Sequence, residues 1–283
     1  MFNLKLENSN ANIVDLNDGE HYVVLGVSGL TPPSASLFTS KSPNKKGLKH
    51  NGSSLNERIL VIEIKLLGNV EESRNALYSW VEPEAYSKIY YQNGVKSVYC
   101  EGYVETCDAD LFTDNEIVNV EIVCGNPYWM DLQEIFVDIS NVLKQFVFPF
   151  SIDSVGIPFS TLKDSNITNV FNSGAETGVQ FIIRCTEPIT SLIIFDANNT
   201  TRQFKINYSF DAEWQIIIDT EGSPKTCKAI KPDGTVLNIL RYVSGNPTWF
   251  TLKRGNNRFG YIANDGAAAV EMSVGYTNKY LGV

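Results

Sequence analysis

The chain contains two histidines, His21 and His50, and hydrolytic chemistry based on a serine or cysteine nucleophile usually depends on such a residue. In these arrangements the imidazole takes the proton of the nucleophile, so the two side chains must lie within hydrogen-bonding reach. His21 follows an Asp-Gly-Glu sequence typical of a turn, and His50 lies in a lysine-rich stretch. Both positions are typical of surface residues. We therefore predict no catalytic residue and no enzymatic activity.

Other catalytic and cofactor motifs are incomplete. The segment Gly26–Leu30 (GVSGL) approaches a nucleophile elbow, but the final glycine and the following helix are missing. No Walker loop and no Gly-x-Gly-x-x-Gly sequence follows a predicted strand, so no cofactor is expected. The chain has 32 carboxylates, which would place some pair at glycosidase separation in almost any fold. The presence of many carboxylates therefore does not indicate a glycosidase site.

Two groups of residues have side chains that could bind a metal. The first is an acidic cluster, Asp108, Asp110, Asp114 and Glu116. An EF-hand would need an oxygen ligand where Phe112 stands and a glycine where Thr113 stands. The second group is the five cysteines, which lack the close pairs of zinc sites and disulfide frameworks: Cys100, Cys107, Cys124, Cys185 and Cys227. We predict a solvated hairpin loop, reduced buried thiols and no metal site.

Three aromatic residues in the second half of the chain could serve either in sugar binding or in core packing. Exposed aromatic rings in a β-sandwich can stack on sugars, and Trp214, Trp249 and Tyr261 are candidates. Both tryptophans lie within apolar, strand-like runs, which favours packing in a core. Binding of host-surface carbohydrate therefore stays an alternative function, and weak sugar binding a possible secondary property.

Composition and charge exclude several classes of partner. With 43% hydrophobic and 19% charged residues the chain can form a globular core. The net charge of -9 would repel a phosphate backbone, so no nucleic acid partner is expected. The basic stretch Lys41–Lys49 is interpreted as a solvated, mobile loop. No apolar stretch approaches the roughly 20 residues that cross a bilayer, and the amino terminus does not resemble a secretory signal. We expect no membrane contact and synthesis in the cytoplasm.

Short runs of β-branched and aromatic residues between turn-forming residues predict a mainly β protein. The clearest predicted strands are Tyr22–Val27, Arg58–Leu66, Val95–Val104, Ile117–Cys124, Gln180–Cys185, Ser191–Phe195, Gln203–Tyr208 and Glu213–Asp219. The pair Asn93-Gly94 predicts a type I′ turn after a strand at Lys88–Tyr91. One helix is predicted at Val70–Trp80, with Asn69 as its cap and Pro83 beyond its end.

The chain is long enough for two domains. A proline-containing stretch at 147–158 resets the strand pattern, so we predict domains at 1–145 and 146–283. The stretch Thr31–Ser54 has no apolar period and predicts a long excursion from the first domain. Long ordered loops of this kind usually make a contact.

Several segments resemble the distal tail protein family of long-tailed bacteriophages. In the first half these are ERILVIEIKLLG, KSVYCEGYVETC and VNVEIVCGNPYW, with a Cys-x-x-Pro-aromatic turn formed by Cys124, Pro127 and Tyr128. In the second half they are NITNVFNSGAETG from Asn166 to Gly178, WQIIIDT with Ile218-Asp219-Thr220, PTWFTLKRGNNRFGYIA with Trp249 to Leu252 and Gly255-Asn256, and VGYTNKYLGV ending in Tyr280 to Val283.

The resemblance implies a particular architecture and role. An amino-terminal β domain with one short helix would form a ring, commonly a hexamer, and a carboxy-terminal galectin-like β-sandwich of jelly-roll type would follow. The ring would connect the tail tube protein to the tail-associated hub or fibre proteins of the baseplate, at the virion tail tip, during host attachment. Ring closure needs two different complementary surfaces on each copy. The strand Arg58–Leu66, through an exposed edge, and the loop Thr31–Ser54 are the expected suppliers.

Overall fold

The computed structural model describes residues 2–43, 46–111, 113, 115–139, 142–144, 160–162, 167–264 and 269–283, with only the backbone described at 142–144 and 160–162. The chain forms two compact units, Met1–Leu132 together with Lys279–Val283, and Gln133–Asn278. Residue 145, where the sequence predicts the boundary, lies outside the described residues. The fold is mainly β, as predicted, and all eight predicted strand segments overlap strands, four of them extending one or two residues beyond the observed ends.

The first unit is built on one antiparallel sheet. Its elements are β1 (Asn3–Asn8), β2 (Ile13–Asp15), β3 (Tyr22–Ser28), β4 (Ala35–Ser40), β5 (Lys49–Leu55), β6 (Arg58–Leu66), α1 (Val70–Tyr78), β7 (Tyr86–Gln92), β8 (Ser97–Ala109), β9 (Ile117–Cys124) and β10 (Trp129–Asp131). Seven of these strands run in the order β2-β1-β7-β8-β9-β6-β3, and β10 pairs with β8. Among the described residues, strands β4 and β5 pair only with each other.

The core of this unit follows from period-two alternation. Along β6, Leu60, Ile62, Ile64 and Leu66 are buried while the residues between them are more exposed. Strands β8 and β9 alternate in the same way, because successive side chains of a strand point to opposite faces. Gly102 of β8 is required by this packing: a Cβ there would lie 2.5 Å from the carbonyl oxygen of Val123.

The predicted helix is present as α1, and it ends at Tyr78, ahead of Pro83. Asn69 is its N-terminal flanking residue but makes no side-chain capping hydrogen bond. Its amide instead donates to the carboxylate of Glu72 over 3.3 Å. The prediction that the Asn69 side chain caps the helix is therefore wrong, because this side chain is hydrogen-bonded to the Glu72 carboxylate instead.

The turn after β7 differs from the prediction. Gln92 pairs with Ser97, so four residues form the connection, and neither Asn93 nor Gly94 has a positive φ. The side-chain oxygen of Asn93 accepts hydrogen bonds from the backbone N–H groups of Val95 (2.9 Å) and Lys96 (2.8 Å). The hairpin is confirmed and the type I′ turn is wrong, because asparagine can order a turn through its side chain as well as through left-handed backbone.

The second unit is a β-sandwich. Its elements are β11 (Ile135–Asp138), β12 (Val142–Lys144), β13 (Ser160–Leu162), β14 (Ile167–Asn172), β15 (Thr177–Gly178), β16 (Gln180–Cys185), β17 (Leu192–Asp196), β18 (Asn199–Ile206), β19 (Gln215–Asp219), β20 (Thr226–Ile230), β21 (Val236–Asn238), a 3-10 turn (Leu240–Tyr242), β22 (Thr251–Leu252), β23 (Gly255–Ala263) and β24 (Val270–Tyr276). A six-stranded sheet, β11-β24-β16-β19-β20-β21, and a four-stranded sheet, β14-β23-β17-β18, contribute side chains to one hydrophobic core. The last strand of the chain, β25 (Lys279–Tyr280), pairs with β10 in the first unit.

All five cysteines are free, and four of them are buried. Burial raises the pKa of Cys107 to about 11 and the pKa of Cys185 and of Cys227 to about 12. Because the thiolate is the reactive form, we expect a disulfide reagent at about pH 8 to modify the native protein slowly, beginning with half-buried Cys107. All five thiols should react promptly after denaturation, as a colorimetric thiol assay would measure. Rapid modification of several thiols in the native protein would contradict the assigned burial.

Candidate assembly surface

The residues considered for catalysis do not converge in the structure. His21 is exposed and its Nδ1 lies 3.0 Å from the Asp18 carboxylate, while His50 is exposed on β5. The segment Gly26–Leu30 continues from strand β3 into a bend. Within the described part of the chain no group of three or more His, Cys, Asp or Glu side chains is placed to hold a metal ion. Asp114 of the acidic cluster lies outside the described residues.

Of the aromatic residues considered for sugar binding, Trp214 and Tyr261 belong to the core of the second unit, and Trp249 is partly buried against that core. Tyr261 is fully buried and its hydroxyl donates to the carbonyl of Val270 over 3.0 Å. Trp214 is 8% exposed, and the ring of Trp249 packs edge-on against Phe204 at a centroid distance of 5.0 Å. Rings that pack against other side chains in this way are not open to stack on a sugar. The carbohydrate-binding alternative is therefore not favoured.

Strand β6 does not offer a free edge. It pairs with β3 on one side and with β9 on the other along its length. The expectation that Arg58–Leu66 supplies an exposed edge is wrong, because the strand is central in the sheet and its backbone groups are already paired. The outer strand on this side of the sheet is β3, where Leu25 is exposed.

The stretch predicted as a loop at Thr31–Ser54 is instead a two-stranded hairpin. We call β4, β5 and their connection, residues 35–55, the arm. Four large apolar side chains of the arm are exposed, at 65% for Leu37, 58% for Phe38, 66% for Leu48 and 40% for Leu55. Strands of this length reach roughly 20 Å, and an isolated two-stranded hairpin is at best marginally stable in water. The arm therefore presents an apolar surface that lacks a partner within the described chain.

A second surface of the first unit is an open groove of about 780 Å³. Its lining comes from the ends of β1 and β7, the start of β3 and the turns beside them: Phe2, Asn3, Asn17, Gly19, Val23, Val24, Gln92, Asn93 and Gly94. Asp18 and Glu20 flank Gly19 and are exposed. We call this surface the groove. It is mainly apolar at its base and acidic at its rim.

The two surfaces carry opposite charge. The arm contains four lysines, Lys41, Lys45, Lys46 and Lys49, and no acidic residue. At the rim of the groove, burial alone would raise the pKa of Asp18, but hydrogen bonds from the backbone N–H groups of Tyr22, His21 and Glu20 hold it below its usual value. The Asp18 carboxylate is therefore ionised at neutral pH. A basic arm and an acidic rim are electrostatically complementary.

One buried arginine holds the base of the arm. The guanidinium of Arg58 donates to four backbone carbonyl groups, and the side chain is only 1% exposed. Nη1 donates to Gly29 and to Thr31 (2.9 Å), Nε and Nη2 donate to Pro127 (2.9 and 2.8 Å), and Nη2 donates to Leu281 (2.6 Å). The arginine therefore joins the segment leading into the arm, the turn after β9 and the final residues of the chain.

The charge of Arg58 is balanced without a carboxylate. None of the ion pairs found among the described residues includes it. The four carbonyl dipoles and the ring of Trp129, whose centre lies 5.4 Å from Cζ, surround the cation. Burial lowers the pKa of Arg58, yet a guanidinium remains protonated in proteins. Such a site is stable only while all of its acceptors are in place.

The closing segment of the chain is fixed by further contacts. The backbone N–H of Val283 donates to Leu30 over 3.2 Å, and the Tyr280 hydroxyl donates to the Asp131 carboxylate over 3.1 Å. The Lys96 ammonium lies 3.9 Å from the centre of the Tyr280 ring. The last residues are thus an integral part of the first unit.

Sequence reasoning missed Arg58, although a signal was present. The buried positions of β6 recur every second residue from Leu66 back to Leu60, and the same phase puts Arg58 on the core face. A charged residue in phase with a buried stripe indicates an enclosed polar contact. Arg58 also lies in one of the three first-half segments that carry the family resemblance, Pro127 lies in another, and Leu281 lies in the last of the second-half segments.

Comparison with known proteins agrees with this fold. Residues 172–280 match the family model described as siphovirus-type tail component, C-terminal domain. A search of curated protein sequences gave no match. The structure is similar to the crystal structure of the SPP1 Dit (gp 19.1) protein, described as a hub of the adsorption apparatus in phages infecting Gram-positive bacteria. That match has a TM-score of 0.71 and 14% identity, and it covers 98% of this chain and 99% of the other.

A second solved structure shares the fold at lower similarity. It is a chain of the phage P2 baseplate in its activated conformation with Ca, with a TM-score of 0.52 and 13% identity over the full length of both chains. At these identities the structural matches establish the fold, and the family model establishes the carboxy-terminal domain. Together they show that residues 172–280 match the carboxy-terminal domain of siphovirus-type tail components and that the whole chain has the fold of the SPP1 Dit protein.

Proposed function

We propose that this protein is a non-catalytic adaptor of the phage tail tip, whose first unit closes into a ring with copies of itself. The ring would join the tail tube to the hub or fibre proteins beyond it, with six copies as the expected number. The observation that carries this proposal is the presence, on one unit, of two different surfaces of opposite charge. A closed ring needs such a pair, because each contact joins one patch of a copy to another patch of the next.

The arm and the groove are proposed as that pair. The arm of one copy would lie in the groove of its neighbour, where Leu37 and Phe38 would leave water. Adjacent strand residues point to opposite faces, so these two side chains can contact both walls of a groove. Burying a Leu or Phe side chain contributes roughly 1.5 to 3 kcal/mol, and the lysines of the arm would meet the acidic rim at Asp18 and Glu20.

Arg58 supports this contact from within the subunit. It fixes the carbonyl groups of Gly29 and Thr31, which lie six and four residues before the start of the arm at Ala35. A hairpin held at its base loses less conformational freedom on docking than a free one. The buried guanidinium is therefore proposed to set the direction in which the arm leaves the sheet.

Size-exclusion chromatography with light scattering tests the proposal directly. We expect a mass several times the 31.5 kDa of one chain, and electron microscopy of the same sample should show closed rings. The affinity of the ring contact should fall with added salt, because charge pairs at its rim are screened. A strictly monomeric protein over a wide range of concentrations would contradict ring formation.

A further inference from the structure

A cleft of about 300 Å³ in the second unit is lined mainly by basic and amide side chains. Its cations are Arg202, Lys253, Arg254 and Arg258, and its one lining carboxylate is Asp196. Four positive charges and one negative charge among the lining residues leave an excess of +3, or +2 when the Glu176 carboxylate beside Thr251 is counted, although the whole chain carries -9. Because screening limits electrostatic effects to about 8 Å at physiological ionic strength, the local charge decides what enters the cleft.

The loop that carries two of these cations is braced by Asn257. The Asn257 Oδ1 accepts a hydrogen bond from the backbone N–H of Lys253 over 3.0 Å. The Asn257 Nδ2 donates to the carbonyl groups of Lys253 (2.7 Å) and Gly255 (3.1 Å). Gly255 itself adopts a φ of 95°, which a side chain would disfavour. The loop is thus fixed in shape before any ligand arrives.

Three of the cations remain available. Arg202 donates to Asp196 over 3.0 Å, so these two charges neutralise each other. Lys253, Arg254 and Arg258 are exposed, and none of them takes part in the ion pairs found within the described part of the chain. At the rim, the Glu176 carboxylate accepts a hydrogen bond from Thr251. Three available cations converge on one cleft.

We propose that this cleft binds a phosphate group, either free or carried by a sugar. A phosphate monoester has a charge near -1.5 to -2 at neutral pH, which matches a local excess of +2 to +3 better than the single charge of a carboxylate. Arginine forks suit the oxygens of phosphate, with two parallel hydrogen bonds per guanidinium. The cleft volume is at the lower end of the range of about 300 to 1,000 Å³ for ligand sites, so it holds a phosphate and one attached group.

Titration calorimetry of the full chain at low salt tests this inference, with inorganic phosphate, pyrophosphate, glucose 1-phosphate and an oligoglutamate peptide as probes. We expect saturable binding of pyrophosphate and glucose 1-phosphate with one site per chain. Arg254→Gln and Arg258→Gln should each weaken it by about tenfold, the effect of one charge-assisted hydrogen bond. Lys228→Gln, which removes an exposed charge from the other sheet of the sandwich, is the matched control and should leave the affinity within about twofold.

Each outcome of the titration either supports the proposed phosphate site or overturns it. Tighter binding of glucose 1-phosphate than of inorganic phosphate would support the site and assign a phosphosugar, and equal binding would support it and assign free phosphate. Absence of saturable binding, equal loss in the Lys228→Gln control, or binding of oligoglutamate alone would overturn the inference. Unchanged circular dichroism and melting temperature of the variants show that they fold. A ring that forms without phosphate binding would leave the proposed function intact and reject only this site.

Discussion

Replacing Arg58 with methionine should lower the free energy of unfolding of the first unit by about 3 to 5 kcal/mol, because several buried carbonyl groups lose hydrogen bonds to a charged donor and each such loss costs roughly 1 to 3 kcal/mol. Methionine fills much of the same volume but donates nothing, so the carbonyl groups of Gly29, Thr31, Pro127 and Leu281 would lose their shared donor. Domains of this kind are stable by only about 5 to 15 kcal/mol, so the change is large. Urea unfolding followed by tryptophan fluorescence measures it.

Hydrogen exchange should localise the effect of this substitution. We expect faster exchange in peptides covering residues 29–31 and 279–283, since both segments are tied through Arg58. Lysine at position 58 should recover only part of the stability, because an ammonium has three donors and no planar fork. Lys49→Met removes an exposed cation of the same unit and is the control. An unchanged unfolding midpoint for Arg58→Met would contradict the role assigned to the guanidinium.

If the proposed ring forms, replacing both Leu37 and Phe38 with serine should convert it into monomers at concentrations where the parent protein is assembled. Their exposed fractions of 65% and 58% mean that the subunit loses little stability. At roughly 1.5 to 3 kcal/mol for each buried side chain, the contact between copies should weaken at least about a hundredfold. Light scattering across a dilution series measures the shift. Phe171→Ser with Val236→Ser, an equally exposed pair in the second unit, is the control and should assemble normally.

Charge reversal tests where the arm docks. Lys49→Glu and Glu20→Lys should each weaken assembly, because each places like charges together at the rim of the groove. The two reversals combined in one chain should restore much of the affinity, since opposite charges face each other again. Normal assembly of the serine variant would reject the arm as the contact. If the combined variant does not regain affinity, we would conclude that the arm docks on a surface other than the groove.

The sequence alone determined the class of fold and the positions of most strands. Alternation of buried and exposed side chains depends on neighbours in the chain, so Arg58–Leu66, Ile117–Cys124 and Gln180–Cys185 were predicted with the bounds that the structure shows. The resemblance to the distal tail proteins also came from local segments; the family model confirms it for residues 172–280, and the structural match confirms the fold. The type of turn was predicted less reliably than the strands, as Asn93 shows. An asparagine can order a turn either through hydrogen bonds to its side chain or through a left-handed backbone conformation.

Only the tertiary structure decided which of these elements form surfaces. The strand at Arg58–Leu66 was expected to be an edge, and pairing with β3 and β9 makes it central. The arm has no apolar period that a strand prediction could use, since neither of its faces packs against the described subunit. Arg58 binds carbonyl groups 69 and 223 positions away in the chain, and a pattern of neighbouring residues contains no information about such distances. Alternation of buried and exposed residues along the chain determines secondary structure. Hydrogen bonds and strand pairing between distant segments determine which of these elements form the surfaces of the protein.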